Sequence, residues 1–124
     1  MAIPGSSDGQ EVLRRGVILT QSTDVTSFKF DGTSPTTGTE TYAVPANHIV
    51  TVLSIIWCET ANAAELIILV GDGSFILQQQ ALAAYGTFIW NERMSLKGGT
   101  ILKTWTASGA DIDIHYSYLD QDWS

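Results

Sequence analysis

From Asp111 to Tyr118 the chain alternates strictly: Ile112, Ile114, Tyr116 and Tyr118 are apolar or aromatic, and Asp111, Asp113, His115 and Ser117 between them are polar. A period of two over that length fits a β-strand with one face on a core and the other in water. The same grammar runs back along the chain. VLRRGVILT, TYAV, NHIVTVLSIIWCE, ELIILV, FILQQQ, TFIWNE with RMSL, and ILKTWTA are strand-sized and rich in β-branched or aromatic residues. GDG, KGG and SGAD between them are turn chemistry. ALAAYG is ambiguous and could hold a helical turn. Helical periodicity is otherwise nearly absent, and no internal repeat is evident. About eight short strands with Gly-rich turns predict an all-β chain, a jelly-roll-like antiparallel β-sandwich.

The division expected along the chain is an extended N-terminal arm and loop region over 1–39 and the β-sandwich over 40–124. The first eleven residues are rich in Gly, Ser, Asp and Gln and read as a flexible arm. VLRRGVILT, with Arg14 and Arg15 inside an apolar run, reads as an edge strand or as an arm strand that pairs with a neighbouring subunit. Gln21 to Glu40 reads as a long loop, its first half anchored by Val25, Phe28 and Phe30. LIILV is apolar on both faces, which predicts a central or covered strand. IVTVLSIIWC carries Ile49, Leu53, Ile55 and Trp57 at one parity and Val50, Val52, Ile56 and Cys58 at the other. Apolar residues on both faces predict that an outer face is covered, most simply by another subunit.

Composition narrows the function classes. Thirteen acidic against six basic residues give a net charge of −7, which repels phosphate and argues against nucleic acid as a partner. The start MAIPGSSDGQE has neither the basic nor the apolar region of a secretory signal. No apolar run approaches the ~18 residues of a helical membrane span, so no membrane partner is expected. One cysteine, Cys58, permits no internal disulfide and reads as a small buried thiol.

The search for chemistry returns little. Two histidines, His48 and His115, leave few ways to build a nucleophile–base pair, and the GxSxG, HExxH, EF-hand and Walker patterns are missing from the sequence. GDGS lacks the Lys and following helix of a phosphate loop and reads as a turn. Asp111, Asp113 and His115 share one strand face at a spacing of about 7 Å. Two of them could share a metal, with His48 as a cross-strand ligand, but three cannot easily converge from one strand. The solvated-face reading is preferred, and no enzyme, cofactor or metal site is expected. Four tryptophans in a chain this small suit an interface. Trp57, Trp90 and Trp105 read as core residues, whereas Trp123 stands in a polar tail, DQDWS, where packing on a neighbour would explain it.

AVPANHIVTVLSIIWC, ELIILVGDG and SLKGGTILKTWTASGADIDIHYSYLDQ together resemble a group of small all-β virion accessory proteins of tailed bacteriophages, over residues 42–121. The Gly98–Lys103 hairpin and the Thr106–Asp120 ending carry the likeness most strongly. The resemblance implies a structural virion protein: a capsid decoration or cement protein that binds the outer shell and stabilises capsomer contacts. Its expected partners are the major capsid protein and further copies of itself, as a trimer. Its expected place is the capsid exterior, after synthesis in the host cytoplasm. The expected partner-binding residues are Arg14 and Arg15 in the arm and Trp123 in the tail. A phage neck, tail or fibre-base component is the alternative. A carbohydrate-binding module, stacking sugar on Trp90, Trp105 or Trp123, is a further one.

Overall fold

Alternating residues build nine strands in a computed structural model of the chain, which describes residues 10–39, 41–108 and 111–123. They are β1 (Gln10–Gln21), β2 (Thr26–Ser27), β3 (His48–Glu59), β4 (Glu65–Gly71), β5 (Ser74–Leu82), β6 (Thr87–Trp90), β7 (Met94–Lys97), β8 (Leu102–Thr106) and β9 (Ile112–Asp122). No helix is found among the described residues. Two antiparallel sheets result. Sheet A runs β1-β9-β3, with β6 and β7 sharing the far edge of β3; sheet B runs β2-β8-β4-β5. Every connection except β4–β5 and β6–β7 passes from one sheet to the other. Eight strand positions in two sheets wound this way make a jelly roll.

The inner faces form one core. Ile18, Val52, Ile55, Trp57, Ile114 and Tyr118 from sheet A meet Ile67, Leu69 and Leu102 from sheet B, each 0% exposed. Burying one such side chain stabilises the fold by roughly 1.5–3 kcal/mol. The Trp57 indole N–H donates to Thr104 Oγ1 at 3.3 Å, and the Thr104 hydroxyl donates to the Ile68 carbonyl at 2.6 Å, so both polar groups are satisfied inside the core. β4 is central in sheet B, as its two-sided apolar sequence predicts. The GDG turn closes β4 onto β5 with Asp72 at φ 53° and Gly73 at φ 81°, two consecutive left-handed residues that match the twist of the hairpin.

Several expectations about the strands and their boundaries change. The boundary at 39/40 is not a boundary between arm and sandwich. β1 pairs with β9 from Gln10↔Asp122 through Gln21↔Ile112, and β2 pairs with β8, so the described part of 10–39 belongs to the sandwich. Residues 1–9 lie outside the described residues. TYAV is not a strand; Val44 instead exchanges main-chain hydrogen bonds with Gly99 and Thr100 of the hairpin loop. ALAAYG holds the end of β5 and a turn in which the Gly86 N–H donates to the Ala83 carbonyl, with Tyr85 at φ 56°.

The faces of β3 also differ from a simple alternation. Its register against β9 shifts between Val52 and Ser54. One extra residue at Leu53 reverses the parity. Val50 and Val52 point inward before the bulge, and Ile55, Trp57 and Glu59 after it.

Candidate functional site

Arg14 and Arg15 are neighbours on β1 and therefore lie on opposite faces of sheet A. Arg14 faces inward, opposite Tyr118. Its Nε stands 3.7 Å from Asp120 Oδ2, with Asp120 only 7% exposed. Asp120 Oδ1 shares a hydrogen bond of 2.8 Å with His48 Nδ1, and His48 Nε2 lies 3.5 Å from Asp122 Oδ1. This row ties β1, β9 and β3 together at one corner. The role the network gives Arg14 is internal: it balances a buried carboxylate.

Trp123 follows directly. Its main-chain N–H donates to the Asn47 carbonyl at 2.8 Å, and its ring, 38% exposed, lines a shallow groove with Val44, Ala46, Gly98 and Gly99. Arg15 points outward over a hollow lined by Ser54, Ile56, His115 and Ser117, in which the Ser54 and Ser117 hydroxyls hydrogen-bond at 2.9 Å. Arg14 and Trp123 thus share a corner, and Arg15 stands apart on the outer face.

That outer face is unusually apolar. Leu13, Leu19 and Ile89 are 69%, 62% and 52% exposed, and Leu53, Ile56 and Leu119 between them are half-buried. Cys58 is a free, half-buried thiol on the same face, opposite Asp113 and Thr87, rather than a buried one. Of the tryptophans, Trp57 is core, Trp90 packs inward against the core, and Trp105 is half-buried beside Ile68 on the outside of sheet B. Trp105 therefore leaves the core group in which its sequence context placed it.

The acidic row of β9 has a structural use. Asp113 Oδ1 accepts the Thr20 N–H at 3.1 Å, and Thr20 sits at φ 55° where β1 bulges between Ile18 and Gln21. The carboxylate holds a main-chain conformation that a threonine rarely adopts. The Asp111 carbonyl accepts from the Thr60 N–H at 3.0 Å. His115 is exposed opposite Val17 and Ile56. Among the described residues no three His, Cys, Asp or Glu side chains gather as a metal-binding group.

Phe28 and Phe30 anchor the segment after β2 as expected, but sequence reasoning missed their partners, Tyr116 and Tyr118 on β9. Phe28 and Phe30 are buried against Tyr116 and Tyr118 in edge-to-face contacts with centroids 4.9–5.9 Å apart. The Tyr116 hydroxyl donates to the Lys29 carbonyl at 2.7 Å and accepts the Lys29 N–H at 3.2 Å; the Tyr118 hydroxyl accepts the Gly32 N–H at 2.9 Å. Burial raises the pKa of Tyr116 and Tyr118, and pushes that of Tyr42 beside them up to about 12. The signal available in sequence was the matching period of two in Phe28/Phe30 and Tyr116/Tyr118.

Strand order, sheet pairing and the crossing connections define the chain as a jelly-roll protein. Two solved structures share the fold over nearly the whole chain. One is the virus-like particle of the extra small virus of the giant freshwater prawn Macrobrachium rosenbergii, at TM-score 0.52 and 10% identity over 96% of this chain and 82% of that one. The other is the acid-stable capsid of Helicobacter pylori bacteriophage KHP30, at TM-score 0.51 and 9% identity over 94% of each chain. No protein-family model matches the chain, and no curated protein matches it.

Proposed function

We propose that the chain is a structural protein of a virion, working by association rather than catalysis. The observation that carries this reading is the fold: a jelly roll that aligns over 96% and 94% of this chain with chains from two viral particles. The exposed apolar face of sheet A supports it, because a solvated monomer rarely displays such a face without a partner. Within that role, the acidic balance suits a decoration or cement subunit on the capsid exterior, bound to the major capsid protein and bridging capsomers. Many weak contacts repeated over a shell would then add by avidity. A second reading is that the chain is itself a shell-forming subunit, which the capsid and virus-like-particle origin of both similar structures favours.

Immunogold labelling of the source particles, followed by add-back of purified chain to shells stripped of it, separates the readings. A decoration protein labels the whole head and returns to stripped shells. Empty shells formed by the purified chain alone would favour the second reading. Gold at one vertex, or none on the particle, would overturn a role over the whole shell.

A further inference from the structure

We propose that the hollow beside Arg15, on the outer face of sheet A, is a binding site for a single oxyanion group. Adjacent strands build it. Arg15 on β1 pairs directly with Ser117 on β9, and Ser117 pairs with Ser54 on β3. His115 stands two residues from Ser117 on the same face, about 7 Å along the strand. With Ile56 these side chains line an open hollow of about 270 Å³. That is below the roughly 300–1,000 Å³ of a pocket for a drug-sized molecule, so the space suits a small group.

The donors of the hollow select the occupant. Arg15 carries five N–H groups in a planar fork that matches two oxygens of a carboxylate, phosphate or sulfate. The His115 imidazole offers an N–H in either tautomer. The Ser54 and Ser117 hydroxyls share one hydrogen bond of 2.9 Å, so whichever of them donates, the proton of the other is left for a ligand. No acidic side chain lines the hollow. Asp113, the next outward residue of β9, is turned to the Thr20 N–H. Glu11 lies about 13 Å from Arg15 along β1 and is bonded to Gln121. Among the described residues Arg15 enters no salt bridge, whereas its neighbour Arg14 is committed to Asp120. A cation without a carboxylate from its own sheet, set beside further donors, takes a negative ligand. The net charge of −7 and the exposure of Arg15 and His115 keep that binding weak. A free tetrahedral anion and the carboxylate of a neighbouring protein present the same pair of oxygens to the fork.

NMR titration of the full chain with sodium sulfate or sodium acetate, at constant ionic strength set with sodium chloride, tests the site. The Arg15 Nε–H and His115 ring signals are expected to shift together and to saturate, with a dissociation constant of about 1–10 mM. Saturation by either anion supports the site, and the tighter of the two assigns the source: sulfate for a free tetrahedral anion, acetate for a protein carboxylate. Arg15→Gln is expected to weaken binding about tenfold, read at His115. Arg15→Lys, which keeps the charge and loses the fork, is expected to lose about threefold. Arg93→Gln, on the exposed stretch between β6 and β7, is expected to leave the affinity unchanged. Shifts that never saturate, a matching shift when chloride alone is raised, or equal losses from Arg15→Gln and Arg93→Gln overturn the proposal. Arg15 is exposed and outside the core, so a lost response reports on the site rather than on folding. It also leaves the virion role to be judged by labelling.

Discussion

The two edges of sheet A are built in opposite ways. At one edge, β6 and β7 are four residues each and share β3 end to end, divided by the exposed Asn91, Glu92 and Arg93. Short strands interrupted by charge are poor templates for addition. At the other edge, β1 is twelve residues long and continuous with β9 across most of its length. Hydroxyls of Ser34 and Thr37 bond its main chain at Val17 and Leu19, and Leu13 further along it is exposed. One edge is broken into short pieces; the other is one long strand. Among the described residues of sheet A, a long continuous strand therefore stands at one edge only.

The largest way to break this contrast is to unseat β1 itself. A Cβ at Gly16 would sit 2.4 Å from the Tyr116 ring, which lies across the glycine from the neighbouring strand. Gly16→Val is expected to lower stability by about 2–3 kcal/mol through overpacking, read as a lower midpoint in urea unfolding. A value near zero would mean that the ring moves aside freely. Next comes the corner network. Asp120→Asn removes the charge that Arg14 and His48 share, for an expected loss of about 1–2 kcal/mol, reduced because Arg14 is partly exposed. Hydrogen exchange should accelerate in β1 while β6 and β7 stay protected; uniform acceleration would show that the network serves the whole sheet.

The tyrosines give a third test. Their folded pKa values are raised, so the protonated forms are favoured in the folded state. Their contribution is complete below the unfolded value near 10 and is lost as pH climbs toward 12 and above. Alkaline titration should release the 28–42 loop in that window, and Tyr42→Phe should blunt the transition. The smallest effect is expected from Ser34→Ala, about 0.5–1.5 kcal/mol in the monomer. The change is read as a lower midpoint in urea unfolding. An unmoved midpoint would mean that water replaces the Ser34 hydroxyl at the Val17 N–H without cost.

Much of the architecture was legible in sequence because alternation survives wherever a strand is regular. β9 reads correctly from Ile112 onward, and GDG marks the β4–β5 hairpin. β3 does not, because the bulge at Leu53 changes parity inside the strand and no local residue type announces it. The pattern then looked two-sided, although Val50, Val52, Ile55 and Trp57 share the core. β2 has only two residues, too few for any period, and Thr41–Val44 takes its hydrogen bonds from a loop rather than a sheet. The candidate residues show the same division. Arg14 and Arg15 stood out as paired charges in an apolar run, but which of them faces inward depends on pairing with β9. That one balances Asp120 could be known only once β3 had brought His48 to the same corner.

Gln10, at the start of β1, lies opposite Asp122, near the end of β9, and the strands run antiparallel. Tension applied between these two ends would peel the strands apart from that corner, one pair at a time, instead of loading the whole ladder in shear. The Arg14–Asp120–His48 row stands where such a tear would begin. Mechanically, this sandwich is weak when pulled at that corner.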